Sequence, residues 1–190
     1  YVGPRAYLFD QDEIRIVLAE EAATEALYGI FRQQLVYAHR RLIERLGPSI
    51  GAAPIVSVAY DPNSERPGIK GSVDRSFIAL TVTGFQLSEF SSMAEGELLT
   101  LVTHEVFHLW NGIDRRRGQS PPPTWLVEGG AEYVSVLMAS SGARRTVEIE
   151  NRLNRCLVAI GPRSIRSSAL ASQGRTPYAC GAVVMMLADA

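Results

Sequence analysis

The amino-acid sequence predicts an α+β fold in which a small mixed sheet precedes a mainly helical half. Three observations support this class: short runs of β-forming residues before residue 90, apolar residues at helical spacing after it, and Gly or Pro residues between the runs. At 190 residues, the chain is expected to be a single domain over 1-190, with lobes at 1-90 and 91-190. Because it starts at Tyr1 rather than Met, we expect an excised or processed piece of a longer protein.

Three strands and one long helix are predicted in the first lobe. Alternating apolar residues favour a strand over Ile14–Leu18, although the same residues could open the helix that follows. That helix is predicted over Ala22–Leu46, where apolar residues recur at helical spacing. Two further strands are predicted at Ile55–Tyr60 and Ser76–Thr83, with Asn63–Gly71 as a loop between them.

The second lobe is predicted to be helical. Its first helix follows the capping-box pattern of Ser92–Glu95 and is expected to end at Asn111-Gly112. After three consecutive prolines, Thr124 is placed to cap a helix that runs to about Ala139. A third helix is predicted over Thr146–Ile160.

The last part of the chain combines a long loop with a final helix. The stretch Gly161–Arg175 is rich in Gly, Ser and Arg, and loops of this length in compact domains are often functional. Pro177 suits the first turn of a helix that carries Tyr178. We therefore expect this loop to shape the surroundings of Tyr178.

The segment His104-Glu105-Val106-Phe107-His108 carries the most specific chemical signal in the chain. Residues four apart on a helix differ by about 40° around its axis, so His104 and His108 can bind one ion. Glu105 is turned about 100° from His104, within reach of a water molecule beside that ion. The pattern predicts a zinc site with two imidazole ligands and a carboxylate base. The alternative is a helix with two structural histidines.

A third metal ligand is predicted at Glu128, near the start of the next helix. Three protein ligands leave the fourth position of a tetrahedral zinc ion open, as is typical of catalytic sites. The alternative is a carboxylate that only stabilises a helix N-terminus. Gly129 and Gly130 suggest close packing against the His104 helix. Glu132 is either the acceptor of a ligand histidine's second N–H group or a solvated glutamate.

These motifs resemble those of the gluzincin zinc metallopeptidases. They are most similar to the glycyl aminopeptidase and aminopeptidase N types, and three separate places carry the resemblance. The first is His104–Asn111, where Trp and Asn follow the second histidine. The second is the Trp-Leu-x-Glu-Gly-x-Ala-x-Tyr pattern of Trp125–Tyr133, and the third is the Tyr-x-x-Gly pattern of Tyr178–Gly181.

The resemblance implies a thermolysin-like metallopeptidase domain with the zinc site between a mixed-sheet lobe and a helical lobe. It implies that His104, His108 and Glu128 hold Zn²⁺. It also implies that Glu105 activates the zinc-bound water for peptide-bond hydrolysis and that Tyr178 stabilises the oxyanion. The expected substrate is therefore a peptide or a protein.

Two departures from these families leave open whether the chain acts as an aminopeptidase or as an endopeptidase. Cys180 stands where these families usually carry Lys, and the Gly-x-Met-Glu-Asn segment that anchors a free amino end is missing. Ser76–Thr83 is the expected edge strand that binds extended peptide by main-chain pairing, and an ordinary core strand is the alternative. Two other functions stay open: a zinc-binding pseudo-peptidase acting as a peptide-binding module, and a non-peptidase zinc hydrolase acting on an amide or epoxide.

Composition sets limits on partners and compartment. The 19 Lys and Arg residues nearly balance the 20 Asp and Glu residues, so no nucleic-acid partner is predicted. No apolar run approaches the roughly 20 residues of a membrane span, and the oligomeric state is left open. Cys156 and Cys180 are either two buried thiols or one disulfide. A secreted or periplasmic location is favoured over the cytoplasm.

Overall fold

The computed structural model describes residues 7–11, 14–18, 25–49, 53–111, 122–163 and 174–189. In these residues the protein has five strands, six α-helices and one π-helical segment, which confirms the α+β class. None of the described helices combines the length and apolarity needed to span a membrane. The chain divides into two compact units, Tyr1–Asp114 and Arg115–Ala190.

The first unit contains a five-stranded mixed sheet in the order β1-β2-β3-β5-β4. Its strands are β1 (Tyr7–Gln11), β2 (Ile14–Leu18), β3 (Ile55–Asp61), β4 (Gly68–Asp74) and β5 (Phe77–Thr83). Strands β2, β3 and β5 run parallel, whereas β1 and β4 pair antiparallel at the two ends of the sheet. The three predicted strands are therefore confirmed as β2, β3 and β5.

The predicted loop over Asn63–Gly71 is wrong for its last residues, because β4 begins at Gly68. Two glycines give this segment little intrinsic strand preference, and its pairing with β5 provides the backbone hydrogen bonds instead. The expectation that Ser76–Thr83 is an edge strand is also wrong, because β5 is paired on both sides. Among the described strands, β4 lies at that end of the sheet.

Helices α1 (Glu25–Leu46) and α3 (Leu99–Asn111) contribute the helical part of the core in the first unit. They meet where the ring of His39 lies 5.9 Å from that of Trp110. The apolar residues of α1 that are fully buried recur every three or four positions: Leu27, Phe31, Leu35, Ala38 and Leu42. Each large side chain of this kind stabilises the fold by about 1.5–3 kcal/mol. The predicted helix is confirmed from Glu25, and residues 22–24 lie outside the described residues.

Helix α3 is preceded by α2 (Leu87–Met93) and by the π-helical segment Ala94–Leu98. The prediction of a capping box at Ser92–Glu95 is wrong, because Ser92 lies inside α2. The Glu89 carboxylate instead accepts a hydrogen bond of 2.9 Å from the backbone N–H of Gln86. This contact is the side-chain-to-N-cap half of a capping box, so the helical region begins there.

The second unit has three described helices: α4 (Thr124–Ala139), α5 (Gly142–Ile160) and α6 (Thr176–Asp189). Helices α4 and α6 cross with their backbones in contact at Gly129 and Gly181. A Cβ atom added to Gly129 would lie 2.3 Å from the Cα of Gly181, and one added to Gly181 would lie 2.1 Å from the Trp125 carbonyl oxygen. Gly129 therefore packs closely against α6 within the second unit.

A disulfide between Cys156 and Cys180 joins α5 to α6, with 4.7 Å between the two Cα atoms. It settles which of the two expected cysteine states occurs. Both cysteines are buried. With Ala179 they form a small apolar cluster, and Ile160 and Val183 pack against it.

The ends of α4 and α5 differ from the sequence expectations. Thr124 is the first residue of α4 rather than its cap, and Pro123 holds the N-cap position without a side-chain hydrogen bond. Helix α5 begins at Gly142, one turn before the predicted Thr146. The Arg145 guanidinium donates to the Leu137 and Ser140 carbonyls at 2.7 and 2.8 Å, which satisfies backbone acceptors at the end of α4. Residues 164–173 of the predicted loop lie outside the described residues.

Candidate metal centre

His104 and His108 lie one turn apart on α3, and both are buried, with 6% and 8% of their surfaces exposed. Their ring centroids are 5.0 Å apart and the rings meet edge to face. The predicted helix thus brings both imidazoles to one side of α3. Two buried imidazoles this close together are suited to sharing one ion.

Asn111 contacts the ring of His108. The side-chain oxygen of Asn111 lies 3.0 Å from Nδ1 of His108. In the tautomer with its proton on Nδ1, His108 donates to this oxygen, and the lone pair of the neutral ring is at Nε2. Ligand histidines in metal sites are commonly oriented by an acceptor of this kind.

Glu128 completes a group of three side chains with metal-ligating atoms. One such atom from each of His104, His108 and Glu128 lies within 4.8 Å of the other two. Glu128 is half-buried and is the fifth residue of α4, near the start of the helix as predicted. Imidazole nitrogens with a carboxylate oxygen suit zinc and several other divalent ions. The group could therefore bind a metal ion, and its donors alone do not select one metal.

Glu105 lies on α3 between the two histidines and is also buried, with 6% of its surface exposed. Its side chain lies against the backbone of β4 at Gly71, close enough that a Cβ atom there would overlap it. The carboxylate therefore has a defined position on the sheet side of α3. Its role as the general base stays a prediction.

Tyr178 lies in the first turn of α6 and is half-buried. It is three residues from Gly181, where α6 crosses α4. This crossing relates the helix of Tyr178 to the helix of Glu128 inside the second unit. The metal-ligating group itself consists of His104, His108 and Glu128, and the oxyanion role of Tyr178 stays a prediction.

Glu132 has a partner that the sequence did not reveal. Its carboxylate forms an ion pair of 2.8 Å with Arg152 of α5, which is itself buried and also pairs with Glu148. The interpretation of Glu132 as a solvated glutamate is therefore wrong. Its alternative role, as the acceptor for a ligand histidine, stays a prediction. Arg152 could not be found from the sequence, because twenty residues separate it from Glu132 without a local pattern.

Tyr133, the last residue of the Trp125–Tyr133 motif, has a structural role. Its hydroxyl donates a hydrogen bond to the carboxylate of Asp189, the last residue of α6. Burial, reinforced by that bond, raises the pKa of Tyr133 to about 12. The phenol therefore stays protonated at neutral pH and is not suited to accept a proton there.

No protein-family model matches this chain, and no curated protein does either. Support for a function therefore comes from the residues themselves. The described structure gathers His104, His108 and Glu128 and places Glu105 beside the two histidines. It also reveals Asn111 as a partner of His108. The spacing of three residues between His108 and Asn111 could have indicated that contact.

Proposed function

We propose that this protein is a zinc metallopeptidase with a thermolysin-like catalytic domain. The observation that carries the proposal is the group formed by His104, His108 and Glu128, together with the buried Glu105 on the same helix turn. Structural zinc sites usually have four protein ligands, whereas catalytic sites have three and keep one position for water or substrate. Three such side chains gather in the described part of this chain, which favours a catalytic site.

The hydrolytic step would divide between the ion and two side chains, Glu105 and Tyr178. Bound zinc would polarise the scissile carbonyl and lower the pKa of a water molecule toward about 7. Glu105 would accept a proton from the water as its oxygen bonds to the carbonyl carbon. Glu105 would then give that proton to the amine nitrogen as the C–N bond breaks. The Tyr178 hydroxyl would donate a hydrogen bond to the carbonyl oxygen as it gains negative charge.

Strand β4 supports a peptide rather than a compact small molecule as the substrate. It lies at one end of the described sheet and passes directly beside Glu105. A strand at a sheet edge presents backbone N–H and C=O groups that an extended peptide can pair with. Binding of this kind reads the peptide backbone, so we expect broad side-chain tolerance.

The Cys156–Cys180 disulfide supports a secreted or periplasmic location. Disulfides persist in oxidising compartments and are rare where cellular thiols keep cysteines reduced. The bond is described in the same unit as Glu128 and Tyr178. We therefore place the activity in an oxidising compartment.

The test compares wild type, Glu105→Gln and the control Glu97→Gln on a library of internally quenched peptides, with bound metal measured by mass spectrometry. Glu97 is an exposed glutamate in the π-helical segment before α3. We expect Glu105→Gln to lower turnover by about 10²–10⁴-fold at unchanged zinc content, and Glu97→Gln to resemble wild type. A zinc-loaded wild type that cleaves no peptide, or a fully active Glu105→Gln variant, would refute the proposal.

A further inference from the structure

Gly71 lies where β4 passes the side chain of Glu105. A Cβ atom built on Gly71 would lie 2.4 Å from Cγ, 2.5 Å from Cδ and 2.5 Å from Oε1 of Glu105. Non-bonded carbon atoms prefer separations of about 3.5–4.0 Å. The side chain of Glu105 therefore occupies the place that any other residue at position 71 would need for its own side chain.

The sheet holds Gly71 at this place. Inward and outward residues alternate along β4: Lys70 and Ser72 are exposed, whereas Gly71 is partly covered. Gly71 pairs with Leu80 of β5, which is buried. Seven residue pairs fix the register between β4 and β5, and a shift by one residue would turn every side chain to the opposite face. The strand therefore cannot slide to make room.

Glu105 would have to move instead. It is buried, and the histidines of the metal-ligating group flank it on the same helix turn. The oxygen of a carboxylate base must lie within about 2.6–3.2 Å of the heavy atom whose proton it accepts. A displacement of about 1 Å in such a group lowers the rate by about 10²-fold. The missing side chain at position 71 is thus a requirement for the position of this carboxylate.

From this geometry we infer that Gly71 is a positioning residue for Glu105, an inference that rests on the proposed function. Gly71 leaves the space in which the Glu105 carboxylate stands beside the substrate. Its contribution is to the chemical step rather than to metal binding, because it contacts the base and is not a member of the metal-ligating group.

The test introduces Gly71→Ala into the whole chain, with Gly29→Ala in α1 as the control. A Cβ atom at Gly29 would have no heavy atom within 4 Å, and Gly29 lies outside the proposed binding strand. For a quenched peptide that wild type cleaves, we expect Gly71→Ala to lower kcat by about 10²-fold at unchanged KM and zinc content. Gly29→Ala should match wild type in kcat, KM and zinc content. A Gly71→Ala variant with wild-type kcat would overturn the inference.

A second measurement does not depend on activity. The thermal unfolding midpoint of the zinc-free protein is compared for wild type, Gly71→Ala, Glu105→Ala and the double variant. We expect Gly71→Ala to lower the midpoint in the wild-type background and to have no such effect once Glu105 is shortened to Ala. Equal losses in both backgrounds would overturn the inference. If wild type cleaves no peptide, the proposed function fails, but this coupling still decides whether Gly71 sets the position of Glu105.

Discussion

Helices α3 and α4 hold their metal-ligating side chains by different means. On α3, the helical spacing itself brings His104 and His108 together, and both are buried in a helix rich in apolar residues. On α4, the single candidate ligand Glu128 stands next to Gly129, where the helix touches α6. The imidazole pair therefore depends on local geometry, whereas Glu128 depends on contacts between helices that are distant in sequence.

The largest expected effect tests whether the position of Glu128 depends on the crossing of α4 and α6. Gly129→Ala would place a methyl group 2.3 Å from the Gly181 backbone, and backbone atoms cannot move aside as a flexible side chain can. Overpacking typically costs about 1–3 kcal/mol, and we expect the free energy of unfolding to fall by more than about 3 kcal/mol here. Urea unfolding followed by Trp fluorescence measures it. Zinc affinity should fall as well.

The matched control makes the same substitution in α1. A Cβ atom at Gly29 would have no heavy atom within 4 Å, and Ala is favoured over Gly in a helix by about 1 kcal/mol. Gly29→Ala should therefore stabilise the protein, opposite in sign to Gly129→Ala. The chain has one Trp in each unit, Trp110 and Trp125, so single Trp→Phe variants report on each unit separately. Equal stability of the two Gly variants would refute the contrast between the helices.

Tyr178→Phe tests whether the second unit contributes to the chemistry as well as to metal binding. Loss of one oxyanion donor typically lowers turnover by about 10²–10³-fold, and we expect a loss of that size with unchanged zinc content. Tyr133→Phe is the control, because the Tyr133 hydroxyl is engaged with Asp189 at the other end of α6. Unchanged peptide hydrolysis by Tyr178→Phe would remove Tyr178 from the mechanism.

Removal of the Cys156–Cys180 disulfide is expected to have the next largest effect, a loss of stability in the second unit. Replacing Cys156 and Cys180 by Ser opens a covalent loop with a sequence separation of 24, and disulfides closing loops of this size stabilise by about 2–4 kcal/mol. We expect a loss of that size in urea unfolding, seen more strongly by Trp125 than by Trp110. Dithiothreitol should reproduce the loss in wild type and leave the double variant unchanged. A wild type that does not respond to dithiothreitol would contradict the prediction.

The smallest expected effect tests whether a side-chain contact, in addition to helix geometry, orients His108 on α3. Asn111→Ala removes the side-chain oxygen that lies 3.0 Å from Nδ1 of His108, and partners of ligand histidines typically contribute about 10–100-fold to metal affinity. We expect a loss in that range in a competition assay with a chromophoric chelator. Asn154→Ala, at an exposed asparagine of α5, is the control. Wild-type zinc affinity in Asn111→Ala would show that local helix geometry alone orients the ring.

Much of the fold could be predicted from spacing within single elements. The periodic apolar residues of α1 and the β-branched runs of β3 and β5 carry their own signal. Strand β4 has only a weak sequence signal, because its glycines lower its strand preference. It is a strand because it pairs with β5. The true start of the helical region was missed because its cap uses the Glu89 side chain and the Gln86 backbone, where no Ser or Thr marks the position.

For the candidate site too, contacts within one helix could be predicted from spacing, whereas contacts between elements could not. The spacing of His104, Glu105 and His108 was sufficient to predict that they lie on one helix turn. The grouping of Glu128 with the two histidines was predicted from motif resemblance. The contact of Glu105 with Gly71 was not predicted, because it joins a helix to a strand thirty-four positions earlier in the chain. It is possible only because Gly71 has no Cβ atom, and no local sequence pattern marks this.

The π-helical segment Ala94–Leu98 sets the rotational phase of α3. Phe90 of α2 and Leu98 are both fully buried, yet eight residues of uninterrupted α-helix would separate them by about 80° around the axis. Hydrogen bonds in a π-helix span one residue more than in an α-helix, so its wider turns bring these two side chains back toward one face. The five-residue length of this segment therefore determines the direction in which the two imidazoles, six and ten residues after its end, leave the helix.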